Sequence, residues 1–103
     1  MENYRQKMVY MIKKLIEGHW SVDEFEKNYY LYFIDIVPDN YLSEAEEIDF
    51  FGVIQEKLDW ITLNPDQESR EYGWISHVEY IEFVKNLVSQ FIKDNTYISE
   101  LFK

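Results

Sequence analysis

Three times in this chain a serine is followed three residues later by a glutamate, at the head of a periodic apolar run: Ser21 with Glu24, Ser43 with Glu46, and Ser76 with Glu79. At that spacing the serine oxygen accepts the N–H three residues on, and the glutamate reaches back to the serine's own N–H. Donors that a helix start otherwise leaves unsatisfied are thereby matched. Trp20 with Phe25, and Ile75 with Tyr80, bracket two of these boxes at the spacing of a hydrophobic staple. Only three glycines and two prolines punctuate the chain, and most fall between periodic segments, which favours long helices over many short strands.

The segments follow from this punctuation. A first helix is expected from about Asn3 to Glu17, with Tyr4, Met8, Met11, Ile12 and Leu15 on its apolar stripe and Gly18 taking the left-handed turn that ends it. A second opens at Ser21, carries Phe25, Tyr29, Tyr32 and Ile36 on one face, and stops before Pro38. Its half from Tyr29 to Val37 is apolar nearly all round and reads as lying between other helices. A third is expected from about Glu44 to Thr62, stopping at Asn64-Pro65, with Gly52 inside it. Its core stripe is Phe51, Ile54, Leu58 and Ile61. After a long loop from Leu63 to Ile75, a fourth runs from about His77 to Lys93 with Ile81, Val84, Val88, Phe91 and Ile92 inward, and Asp94-Asn95-Thr96 caps a short final turn. The predicted fold is a single all-α domain over 1–103: an antiparallel four-helix bundle with a long loop between helices 3 and 4.

With 103 residues, 47% of them hydrophobic and 18% aromatic, the chain can build one core without staples. It has no cysteine, hence no disulfide framework and no thiolate site. No apolar run approaches the roughly 20 residues needed to span a bilayer, and the opening Met1-Glu2-Asn3-Tyr4-Arg5 lacks the basic-then-apolar pattern of a signal peptide. A soluble, cytoplasmic protein is expected.

Charge carries the functional information. The formal net charge is −10, so nucleic acid is disfavoured as a direct partner and a basic protein is the natural complement. The charge is concentrated: residues 1–34 and 72–103 are close to neutral, whereas 35–71 hold eleven acids against Lys57 and Arg70, a net of −9. On a helical wheel Asp49, Val53, Glu56 and Trp60 share a face distinct from the core stripe, flanked by Glu46 and Asp59. Carboxylates around a tryptophan have the make-up of an interface anchor: charge steers the partner and the ring supplies desolvated contact. The candidate contact residues are Asp49, Glu56, Asp59 and Trp60, with Asp66 and Glu68 from the loop. Two bland alternatives stand beside this reading: a solvated acidic face, and a Trp60 packed under the loop against Trp74.

Catalytic and cofactor chemistry is not indicated. His19 and His77 each sit near a helix start with no second histidine or cysteine close in sequence, which does not make a metal site. Asn64, Asp66 and Glu68 alternate like the opening ligands of a calcium loop, but the sixth position is Ser69 rather than glycine and the twelfth is Ile75 rather than glutamate. Carboxylate pairs such as Glu46 and Glu47 read as solvated. There is no phosphate-cradling glycine loop, nucleophile elbow or His-Glu-x-x-His sequence. No catalytic residue, metal or cofactor is assigned.

The stretch Leu15-Ile16-Glu17-Gly18-His19-Trp20-Ser21-Val22-Asp23-Glu24-Phe25-Glu26 resembles the first helix–turn–helix of the bacterial self-protective colicin-like immunity proteins. Leu42-Ser43-Glu44-Ala45-Glu46-Glu47 is similar to the acidic start of their third helix. Leu58-Asp59-Trp60-Ile61, followed by Pro65-Asp66, Arg70 and Ile75-Ser76, is similar to their long loop into the last helix. The resemblance runs from about Met11 to Ile92; the detail of 64–74 departs from it. It implies an all-α protein that binds a basic toxin nuclease domain, of the RNase kind, and blocks its nucleic-acid cleft. The alternative is a regulatory or scaffold module that binds another basic protein. Oligomeric state is left open: the aromatic run Tyr29, Tyr30, Tyr32 and Phe33 suits either a core or a dimer face.

Overall fold

Helix 1 forms because four large apolar side chains recur on one of its faces. Met8, Met11, Ile12 and Leu15 are fully buried along α1 (Tyr4–Ile16), joined by Val9. The helix ends where Gly18 adopts φ +81°, a conformation open to glycine without a side-chain clash, and the His19 and Trp20 N–H groups both close onto the Lys14 carbonyl. The computed structural model describes residues 4–38, 40–42, 45–94 and 96–102. Among these it is all-α; its one β feature is an isolated bridge.

Two of the three serines cap a helix as the spacing predicts, and one of them completes the reciprocal box. Ser21 Oγ accepts the Glu24 N–H at 3.2 Å and starts α2 (Val22–Leu31). Ser76 Oγ accepts the Glu79 N–H at 3.2 Å while Glu79 Oε1 accepts the Ser76 N–H at 3.1 Å, the full reciprocal box, at the head of α6 (His77–Asp94). Ser43 of the remaining box lies outside the described residues, as do the expected first residue Asn3 and the expected cap Asn95.

Two segments depart from regular α geometry. α2 continues into a π-turn, Tyr32–Ile36, closed by the Val37 N–H on the Tyr32 carbonyl at 3.0 Å. The predicted third helix is a composite run: α3 (Ala45–Glu47), a second π-turn (Ile48–Gly52), α4 (Val53–Lys57) and a 3₁₀ turn (Leu58–Trp60). It stops two residues short of the expected Thr62, because Ile61 turns to extended backbone and bridges Ile75 in parallel. The Ile75 N–H donates to the Trp60 carbonyl and the Thr62 N–H to the Ile75 carbonyl, both at 2.9 Å. The expected loop 63–75 is thus pinned at both ends, and it contains a short helix of its own, α5 (Gln67–Glu71). α7 (Thr96–Leu101) is the final turn.

The π-turns decide which residues are inside. A π-turn carries an extra residue, so neighbours in sequence that an α-helix would splay apart can both face inward. Phe50 and Phe51 are both fully buried in this way, where a straight wheel puts Phe51 alone inside. In α2 the change works outward: Ile36, expected in the core, is 51% exposed, as are Leu31 at 55% and Ile34 at 49%. The half from Tyr29 to Val37 is therefore not enclosed all round: Tyr29 and Val37 are buried, whereas Leu31, Ile34 and Ile36 face solvent.

The core brings the four long segments together. α1 packs on α2 and α6, and the central run lies against α2 through α4 and against α6 through its π-turn. Phe50 stacks on Phe91 with centroids 4.3 Å apart, and Phe25 stacks on Tyr29 at 4.8 Å. Among the described residues no helix is long and apolar enough to cross a membrane.

Candidate protein-binding surface

The acidic central run is held by polar contacts that sequence spacing does not announce. Tyr29 of α2 donates to the Phe51 carbonyl at 2.9 Å, and Tyr80 of α6 donates to the Ile54 carbonyl at 2.7 Å; both hydroxyls are buried. Burial pushes both phenol pKa values well up, with the charge of Tyr80 adding at Tyr29 and that of Glu26 adding at Tyr80. The run is thus clamped from both sides by hydroxyls on carbonyls within and just after the irregular turn.

Glu47 corrects the expectation of a solvated carboxylate pair. It is 7% exposed, and its two oxygens accept from Arg5 Nε at 2.9 Å and Nη2 at 2.7 Å. The guanidinium also lies 4.6 Å from the centre of the Tyr41 ring, which itself meets Tyr4 edge-on. Arg5 is raised above its ordinary pKa, chiefly by its hydrogen bonds to Glu47. The pair ties α1 to α3, so this acid belongs to the scaffold.

The six predicted contact residues are distributed over more than one place. Asp49 is exposed and borders, with Glu46, a groove of about 260 Å³ completed by Phe50, Leu87, Gln90 and Phe91, on the α6 side of the run. Asp59 is exposed and borders a different groove of about 280 Å³ with Glu26, Lys27, Tyr30 and Leu31, on the α2 side. Glu56 is exposed and borders neither. An i→i+5 turn lies between Asp49 and the residues after Val53, so the straight wheel that put them on one face does not apply across it.

Trp60 combines both sequence alternatives. Its ring meets that of Trp74 at 5.3 Å with a 57° tilt, under the loop, and yet it remains 38% exposed. Gly73 passes the indole at φ +104°, a backbone conformation that favours glycine, while a Cβ there would stand at an ordinary 3.7 Å from the Trp60 ring. Asp66 and Glu68 are exposed in the loop. Asp66 is the N-cap of α5, with Oδ1 accepting the Ser69 N–H at 2.7 Å, and this hydrogen bond holds its carboxyl below the usual range. The calcium-like alternation of the loop thus has a local structural cause at Asp66.

Neutralisation of the middle third is incomplete. Asp35, Glu46, Asp49, Glu56, Asp59, Asp66, Glu68 and Glu71 are all exposed, and among the described residues none of them forms an ion pair. Both bases of this third are occupied elsewhere. Arg70 pairs with Glu79 and lowers the pKa of its carboxyl, and the Lys57 ammonium lies 5.7 Å from the centre of the Phe83 ring.

Sequence reasoning missed one surface. Phe33, Ile34, Val37, Pro38, Leu42 and Ile48 line an apolar groove of about 320 Å³ between the first π-turn and the start of the second. The signal was present in 29–37, which is apolar nearly all round apart from Asp35 and was read there as burial. Compared with family models, curated proteins and solved structures, the chain matches none.

Proposed function

We propose that this chain is a non-enzymatic inhibitor of the immunity type, binding a basic toxin nuclease domain and covering its nucleic-acid cleft. The observation that carries the reading is the set of eight exposed carboxylates in 35–71 that no base of the described chain neutralises. A nuclease cleft is basic because it holds phosphates, and an unneutralised acidic surface can occupy it as a phosphate mimic. Steering of this kind raises association rates toward roughly 10⁸–10⁹ M⁻¹s⁻¹. In this reading α1, α2, the central run and α6 form an antiparallel four-helix bundle, and the protein acts in the cytoplasm of the cell that makes the toxin. The resemblance of 11–92 to colicin-like immunity proteins supports the reading in sequence; the contact residues are Asp49, Glu56, Asp59, Trp60, Asp66 and Glu68.

The test is co-purification from the source cell extract at low and moderate salt, with the full chain as bait. Recovery of a basic nuclease domain whose cleavage of RNA or DNA stops in the complex is the expected result. Recovery of a basic protein with no nuclease activity would replace this reading with that of a regulatory module. A recovered nuclease that still cleaves when bound would rule out inhibition.

A further inference from the structure

The groove lined by Phe33, Ile34, Val37, Pro38, Leu42 and Ile48 has three properties that together define what it can hold. It is apolar and open, with Ile34 and Ile48 each about half exposed at its walls, and a cavity of this size is at the small end of those that bury a ligand group. The described acids nearest its lining in sequence are Asp35, next to Ile34, and Glu46, Glu47 and Asp49, which flank Ile48, and no Lys, Arg or His lies between Tyr32 and Asp49 in the sequence. Of these Asp35, Glu46 and Asp49 are exposed, and only Glu47 is neutralised among the described residues, by Arg5. Finally, the groove lies at the C-terminal end of the α2–π-turn segment. Pro38 has no N–H to continue the ladder there, and the last carbonyls of a helix present partial negative charge.

A second copy of this chain is a poor occupant. Each copy carries a formal net charge of −10 and an exposed Asp35 next to the groove residue Ile34, so like-charge repulsion between copies would oppose the burial of apolar surface. An apolar side chain flanked by lysine or arginine is favoured on both counts. We propose that this groove is the anchor site for an apolar side chain carried on a basic segment of the partner protein. The proposal rests on the reading of the partner as basic and adds to it the point of desolvated packing, which the acidic surface alone does not supply.

The experiment uses the full chain with isotope-labelled Ile, Leu and Val methyl groups and three synthetic amphipathic helical peptides. The first is built of Lys and Leu, the second has every Leu replaced by Ser, and the third has every Lys replaced by Glu. The Lys/Leu peptide should shift the methyl resonances of Ile34, Val37, Leu42 and Ile48 and bind about tenfold or more tightly than the Lys/Ser peptide. The Glu/Leu peptide should leave those methyls unmoved. Ile34→Ser with Ile48→Ser, both at half-exposed positions, should remove the advantage of leucine while leaving Lys/Ser binding unchanged.

The inference is overturned if the Lys/Leu peptide shifts other methyls only, if the Glu/Leu peptide binds the groove equally well, or if the methyls shift with protein concentration alone, which would make the occupant a second copy. Binding of the Lys/Ser peptide without any improvement from leucine overturns the groove and leaves the basic-partner reading standing. Failure of both lysine peptides to bind overturns both.

Discussion

Tyr29 donates its buried hydroxyl to the carbonyl of Phe51 at 2.9 Å, across 22 residues of sequence and onto the second π-turn. Tyr80 does the same from the opposite helix, to the carbonyl of Ile54 at 2.7 Å. Irregular helix turns weaken their own ladder, so carbonyls within or beside them are open to side-chain donors.

Removing either hydroxyl should therefore cost stability. Tyr29→Phe and Tyr80→Phe should each lose about 1–2 kcal/mol by urea unfolding. The pH dependence gives a separate check. Burial raises both phenol pKa values above those of the unfolded chain, so the folded state holds these protons more tightly. Their contribution is complete below about pH 10, where an unfolded tyrosine begins to ionise, and is lost progressively as the pH rises further. The two Phe variants should lose less stability over that alkaline range than the parent; equal slopes would mean the hydroxyls are not held protonated by the fold.

Glu47 and Arg5 make a different kind of contact, a bidentate ion pair between α1 and α3 in which both partners are largely removed from water. Arg5→Ala leaves a buried carboxylate without its donor and should cost about 2–3 kcal/mol, somewhat below the figure for fully enclosed pairs because the guanidinium side keeps some solvent. Replacing both together, Arg5→Met with Glu47→Leu, should cost much less than Arg5→Ala alone. A double variant as unstable as the single one would show that the pair contributes favourably beyond satisfying its own burial.

Gly52 and Gly73 should respond to alanine with opposite signs. Gly52 has φ −71° and ψ −37°, and a Cβ there would meet Phe33 at an ordinary 3.8 Å. Gly52→Ala should therefore stabilise by about 0.5–1 kcal/mol. Gly73 has φ +104°, and although a Cβ would find room beside Trp60, the backbone would be strained. Gly73→Ala should destabilise by about 1–3 kcal/mol and alter the tryptophan fluorescence, since the loop carries Trp74 onto Trp60. Thermal unfolding of the two single variants decides this.

What the sequence revealed was local. Ser21-x-x-Glu24 and Ser76-x-x-Glu79 placed two helix starts because a cap is completed within four residues. The stripe Met8, Met11, Ile12 and Leu15 identified the buried face of α1 for the same reason. What was not legible depends on distant partners. Nothing near Glu47 signals Arg5, 42 residues away, and nothing near Ile61 signals its bridge to Ile75. The π-turns fall between these cases. Phe50 and Phe51 are both buried across one of them, and a wheel with a fixed 100° step, on which the face through Asp49, Glu56 and Trp60 was drawn, has no place for the extra residue.

Asp66 links the loop to pH. Its carboxylate caps α5 through the Ser69 N–H, and that bond depresses its pKa. The sign is the reverse of the tyrosine case: the contribution is present above about pH 4, where an unfolded aspartate is ionised, and is lost as the pH falls through the lowered folded value. Asp66→Ala should speed amide exchange at Ser69 and leave the exchange of α1 amides unchanged. It should also remove the part of the acid dependence that belongs to α5; unchanged protection at Ser69 would show that the cap does not hold that helix.

The separation of Asp49 from Asp59 turns the binding surface into a measurable choice. Asp49 borders the groove on the α6 side and Asp59 the groove on the α2 side, so a partner seated mainly on one side should respond unequally to the two. Long-range steering sums over all exposed carboxylates, and Asp49→Lys and Asp59→Lys should both slow association at low salt and flatten its salt dependence. Short-range contact does not sum in this way. Only the reversal that lies inside the interface should also accelerate dissociation, by about tenfold or more. Association and dissociation rates measured for both variants over a salt series therefore separate steering from contact. If dissociation accelerates for Asp59→Lys and not for Asp49→Lys, the α2 side, Trp60 and the loop meet the partner; the opposite result assigns the contact to the α6 side. If neither association rate changes, the acidic surface is not what the partner recognises.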